Sequence, residues 1–175
     1  MMHSDQISGQ ESEQTLSPEL DQSKPDLVQS APIQTKQTTR YVHGSRVDSI
    51  IYGFIDKILV SVAVDGRLGK MYYVPLTASP SINAFSYVEA DDEDDYSLLP
   101  LTHLTPMGLI GAPPDDAEGR MYAVQIASLI SRQAPEERRT VVVSLAPMKY
   151  GQMTTEQQRE MFLTIVEMVG ECRLW

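Results

Sequence analysis

The sequence has little of several things, and each shortage excludes a class of function. Cysteine occurs once, at Cys172, and histidine three times, at His3, His43 and His103. One thiol cannot close an internal disulfide, and so few histidines give no ready zinc cluster, so neither a metal nor a cofactor is expected. A reducing compartment is the simplest reading of the lone thiol. Basic residues are scarce too: 14 Lys and Arg stand against 24 Asp and Glu, for a net charge of −10. A chain this acidic is repelled by phosphate backbones and anionic lipid, which argues against nucleic acid and membrane surfaces as partners. No stretch reaches the ~18 consecutive apolar residues of a spanning helix. Met1 to Gln6 has neither the basic patch and apolar run of a secretory signal nor the Arg-rich character of a transit peptide. The expectation is a cytoplasmic protein, with the nucleus also open to a chain of this size.

Catalytic motifs are missing as well. No GxGxxG, P-loop, HExxH, CxxC or G-x-S-x-G occurs. A general base needs fixed geometry, and the three histidines fall in or beside segments read as mobile. Cys172 sits on the apolar stripe of a helix, which points to a core thiol with a raised pKa rather than a nucleophile. No enzyme is expected.

What is present suits one domain with a tail. Residues 1–40 are rich in Ser, Gln, Thr, Pro, Asp and Glu and contain no Phe, Trp or Tyr. Such a composition cannot bury enough surface to offset chain entropy, so it reads as a disordered tail. Residues 41–175 read as a single α+β domain. Val47 to Phe54 is β-branched and aromatic, and Ile58 to Val64 alternates, with Ile58, Val60, Val62 and Val64 on one face. Asp65-Gly66 is a hairpin signal, and a strand from Lys70 to about Leu76 follows. These three strands predict an antiparallel meander.

At about 80–104 lies a loop with six acids and no base between Glu89 and Asp95. Like charges repel and stay solvated. Calcium is disfavoured, because an EF-hand needs a central Gly and a Glu at its twelfth position, and the twelfth residue from Asp91 is Thr102. Thr105–Ile110 is a short strand. Asp115 with Glu118 resembles a capping box and opens a helix to Arg132, with Tyr122, Ile126, Leu129 and Ile130 on one face. Thr140 to Ala146 is a strand. Thr154 with Gln157 opens the last helix, whose stripe is Met161, Phe162, Ile165, Val166, Met168, Val169 and Cys172. The order predicts an antiparallel sheet, meander first, packed by two main helices.

The candidate binding residues are Arg67, Lys70, Tyr72, Tyr73 and Trp175. Arg67-Leu68-Gly69-Lys70 is the one basic spot, and Tyr and Arg are enriched at interfaces. The plainer alternative is a solvated turn followed by two ordinary strand tyrosines. Trp175 either tucks back onto the core or anchors a partner.

Lys57 to Val62, Gly69-Lys70-Met71 with Val74 to Leu76, and the ending Val169-Gly170-Glu171-Cys172-Arg173-Leu174-Trp175 together resemble the proteasome assembly chaperone 3 family. The resemblance covers about 46–78 and 105–175. It implies a non-enzymatic chaperone that pairs as a heterodimer with proteasome assembly chaperone 4, a homodimer being open to it in isolation. It further implies binding to 20S proteasome α-type subunits, help in placing them in the α ring, and departure before the core particle is complete. The acidic loop departs from that family's shorter connection. The ending Arg173-Leu174-Trp175 lacks the hydrophobic-Tyr-any tail that docks some proteasome partners into α-ring pockets. The alternative is a small α+β trafficking scaffold of longin or roadblock type.

Overall fold

The computed structural model describes residues 33–77, 99–148 and 150–175, and its elements lie in one compact unit, Ala31–Trp175. In chain order they are β1 (Gln34–Val42), β2 (Ser45–Gly53), β3 (Lys57–Val64), β4 (Lys70–Pro75), β5 (Met107–Ile110), α1 (Ala117–Gln133), β6 (Thr140–Leu145) and α2 (Thr155–Glu171). The strands form one sheet in the order β1-β2-β3-β6-β4-β5. Neighbours are antiparallel except β3 and β6, which run parallel. The α+β class with two main helices stands; the sheet is mixed rather than wholly antiparallel.

The meander is displaced by one strand. It is β1-β2-β3, not β2-β3-β4. The Asp65-Gly66 turn forms as its sequence predicts, with φ of 50° and 72°, and Val64 and Arg67 exchange two backbone hydrogen bonds at 3.3 and 3.0 Å. Pairing ends at that single bridge. Strand β6 then takes the place between β3 and β4. Its run Thr140-Val141-Val142-Val143-Ser144-Leu145 is apolar on both faces in its middle, which suits a central strand. Gly69 is needed where the chain passes the end of β6, since a Cβ there would stand 2.9 Å from Pro147 Cδ.

Strand order begins at Gln34, seven residues before the expected start at Tyr41. Residues 34–40 therefore leave the predicted tail; residues 1–32 lie outside the described residues. The far end of the predicted acidic loop is also anchored. Ser128 Oγ accepts from Leu101 N at 2.8 Å, Arg132 donates to Leu99 O, and Leu104 is buried. Residues 78–98, with the acidic run, lie outside the described residues. The α1 cap is Asp116 rather than Asp115: its Oδ1 accepts from Gly119 N at 3.2 Å. The α2 capping box between Thr154 and Gln157 is complete in both directions.

Both helices pack on one face of the sheet. Val47, Ile51, Ile58, Val60, Val62, Tyr72, Val74, Val141, Val143 and Leu145 point up into a core closed by Tyr122, Ile126 and Ile130 of α1 and Met161, Ile165, Met168 and Val169 of α2. The helices meet through Tyr122 and Phe162, edge to face with centroids 4.9 Å apart. Helix α1 lies over β4 and β6, and α2 over β1 and β2.

Candidate interaction surface

Among the described residues, no helix or strand covers the opposite face of the sheet. Side chains alternate along a strand, so the residues between the core positions must all point there. The pairing register aligns them into rows across the six strands. One row reads Thr35, Tyr52, Leu59, Val142, Tyr73, Met107; the next reads Gln37, Ile50, Ser61, Ser144, Met71, Ile110. At ~4.8 Å between strands, each row spans about 24 Å.

The face is polar at one end and apolar at the other. Near β1, Thr39 donates to Asp48 at 2.6 Å, and Arg46 pairs with the same carboxylate at 2.9 Å. Near β5, Met107, Leu109 and Ile110 are 39%, 53% and 61% exposed. The register slips beside Met71 and Tyr72, so Leu109 has no partner of its own on β4. With Tyr73, Thr140 and Val142 it lines a shallow groove of about 330 Å³. Tyr73 donates its hydroxyl to the Met107 sulfur at 3.1 Å, leaving its ring half-exposed. Aromatic and methionine side chains on a flat apolar strip are what a second sheet or helix layer can cover at about 10 Å separation.

The structure separates the five predicted binding residues. Tyr73 lies on this open face. Tyr72, its neighbour, points the other way, is 0% exposed, and donates its hydroxyl to Asp116. It is a core residue and leaves the candidate interface. Gly119 makes room for it, because a Cβ there would overlap the Tyr72 ring and hydroxyl. Lys70 is bound internally as well, with Nζ 2.6 Å from Asp116. Burial alone would raise the Asp116 carboxyl. Hydrogen bonds from Lys70, Tyr72 and the Gly119 amide outweigh it and hold the group below its usual range. Burial and the adjacent carboxylate push the Tyr72 phenol up. The Gly-Lys-Met segment thus ties β4 to the start of α1.

Arg67 is exposed, has no ion pair among the described residues, and lines a cleft of about 370 Å³ with His43, Asp65, Met148 and Met153. Trp175 is half-buried against the core, and its Nε1 donates to Gln133 at 3.3 Å. Nearby, Arg139 donates to Phe54 O at 3.0 Å and Leu174 O at 3.3 Å while paired with Glu137 at 2.6 Å. That guanidinium holds the Glu137 carboxyl down at about 2, against the opposing effect of burial. Burial pushes the Cys172 thiol up. Among the described residues, no three acid, histidine or cysteine side chains gather as a metal site requires.

No family model matches the sequence, and no curated protein does. Among solved structures, a chain of the crystal structure of a novel chaperone complex for yeast 20S proteasome assembly matches with a TM-score of 0.52. The two chains share a fold. The match covers 78% of this chain and 98% of that one, at 15% sequence identity. At that identity the likeness speaks for the fold: one sheet with its helices on one face.

The residues missed from sequence are Tyr52, Leu59, Val142, Met107, Leu109 and Ile110. Val142 carried a signal. An apolar residue on each face of β6 is more than a sheet with one solvated face requires.

Proposed function

We propose that this chain is a non-enzymatic chaperone of 20S proteasome assembly that acts on the α-subunit ring. It works as a heterodimer with a second chain of like fold, a proteasome assembly chaperone 4-like subunit, and leaves before the core particle is complete. It acts in the cytoplasm and, at its size, in the nucleus. The observation that carries the reading is the shared fold with a chain of the yeast assembly complex. The uncovered apolar strip supports the pairing, because a face bearing Leu59, Val142, Tyr73 and Leu109 gains from a second layer. A template of this kind needs a shaped surface and a competitor for it, not a reaction. A standard interface of about 1,600 Å² in total holds a client at moderate affinity until an arriving subunit needs the same space.

The test is native affinity purification of the tagged chain with mass spectrometry of what it carries. The expected result is a small partner chain together with α-type subunits and few β-type subunits. A bait with Leu59→Arg and Tyr73→Ala should lose the small partner while staying folded. Recovery of GTPase or vesicle-coat components without proteasome subunits would replace this reading with the trafficking scaffold.

A further inference from the structure

We infer that the cleft beside Arg67 binds a free α-amino acid with a long apolar side chain. Two tight turns, His43-Gly44 and Asp65-Gly66, carry one wall of it, all four residues in the left-handed region. The segment from Pro147 to Met161 carries the other wall. The cleft holds about 370 Å³, within the ~300–1,000 Å³ of small-molecule sites. Its apolar lining is Val64, Met148, Met153 and Met161. Met161 is fully buried, and the other three are half-buried against the core. Thioether side chains are unbranched and adapt their shape to an apolar guest.

Two opposite charges define the rest of the guest. Asp65 and Arg67 both line the cleft and are not paired with each other. Asp65 Oδ1 accepts from Arg46 N at 2.9 Å, and its second oxygen has no partner among the described residues. The Arg67 guanidinium has no side-chain bond or ion pair among them either. His43, the third ionisable group of the lining, is already engaged, with Nε2 3.2 Å from Glu160. The free charges are therefore one acid and one base on a single turn. A simple anion on Arg67 is repelled by Asp65, and a simple cation on Asp65 is repelled by Arg67. A zwitterion satisfies both, with its ammonium on Asp65 and its carboxylate on Arg67. Ser45 Oγ and the Gln152 amide have no side-chain hydrogen bond among the described residues and supply further donors for the carboxylate. The apolar side chain of the guest then lies among the methionines. This site does not depend on the proteasome reading.

The test titrates L-methionine into the full chain with methyl-labelled methionines and follows each methyl by NMR. The methyls of Met148, Met153 and Met161 should shift along one saturable curve with a Kd below about 1 mM, while those of Met107 and Met121 stay in place. Glycine lacks the apolar side chain, N-acetyl-L-methionine the ammonium and L-methionine amide the carboxylate. Each should bind at least about fivefold more weakly. Arg67→Gln should weaken L-methionine by a similar factor without moving the melt. Asp65→Asn should do the same, since asparagine keeps the left-handed turn and an acceptor for Arg46 N. Equal binding of N-acetyl-L-methionine would turn the site into one for a peptide C-terminus and overturn the amino-acid reading. No shift of the three cleft methyls up to about 10 mM ligand, or unchanged binding in Arg67→Gln, would overturn the site itself.

Discussion

The two faces of one sheet are built from the same strands, and they differ in what completes them. The upper face carries Ile58, Val60, Val143 and Tyr72, and this chain's own helices cover it. The lower face carries Leu59, Val142 and Tyr73, one residue out of step, and nothing described covers it. A strand that needed only one buried face would alternate apolar with polar. Strands β3 and β6 do so imperfectly, with Leu59 and Val142 where a solvated face would place polar residues. No described residue covers this excess apolar area, and it is the area that the proposed second layer would use.

The sharpest way to break this contrast is to truncate neighbours on opposite faces. Ile58→Ala should cost about 2–5 kcal/mol in a denaturant melt, as a buried deletion that leaves a cavity. Leu59→Ala should cost less, about 1–2 kcal/mol, because its side chain is only partly buried, yet it should weaken the partner more. If Leu59→Ala melted as early as Ile58→Ala, the lower face would be part of the monomer's own core and the interface reading would fail.

Acid probes a different part of the covered layer. Glu137 is held at about 2 in the folded chain against an ordinary 4.5, by Arg139, which also holds the carbonyls of Phe54 and Leu174. A depressed carboxyl favours the folded state above its unfolded pKa, and that contribution disappears as pH falls from 4.5 toward about 2. The melting temperature should drop through that window, and Glu137→Gln should flatten the drop while lowering stability at pH 7. An identical acid profile in the variant would show that this clamp is not what acid releases.

Lys70 and Arg67 make the next comparison, two bases on one short segment. Lys70→Glu places a carboxylate beside Asp116, whose side chain is only 7% exposed, and should cost about 2 kcal/mol. Arg67→Glu should stay within about 0.5 kcal/mol of the parent, because no ion pair among the described residues is lost. A double variant would therefore confuse folding with binding, and Arg67→Glu alone is the clean probe of the Met148 and Met153 cleft.

Much of this arrangement was legible in the sequence. The α2 stripe, its Thr154–Gln157 box, the core face of β3 and the Asp65-Gly66 turn all follow from local rules that operate within a few residues. Two features were not. Strand β1 buries only Val42, so Gln34–Tyr41 shows no period-2 apolar signal and its polar composition resembles a tail. The pairing of β6 between β3 and β4 is a long-range choice, and a tight turn fixes direction without fixing what lies beside the outgoing strand. The split of the candidate residues follows from these two facts. Once β4 is central-facing beside β6, consecutive tyrosines must point to opposite faces, and only one of them can meet a partner.

That pair gives the smallest and most specific prediction. Tyr72→Phe removes one oxygen from a buried site where Asp116 also holds Lys70 and the Gly119 amide. The expected loss is about 1–2 kcal/mol, the range for a hydrogen bond to a charged group whose other partners remain. Tyr73→Phe removes the same atom from a half-exposed ring whose hydroxyl reaches only the Met107 sulfur, and its melt should move by less than about 0.5 kcal/mol. Gly119→Ala should destabilise the parent more than it destabilises Tyr72→Phe, because part of the overlap is with the hydroxyl itself. If Tyr73→Phe proved the costlier of the two hydroxyl deletions, the assignment of β4's faces would be reversed, and the apolar strip with it.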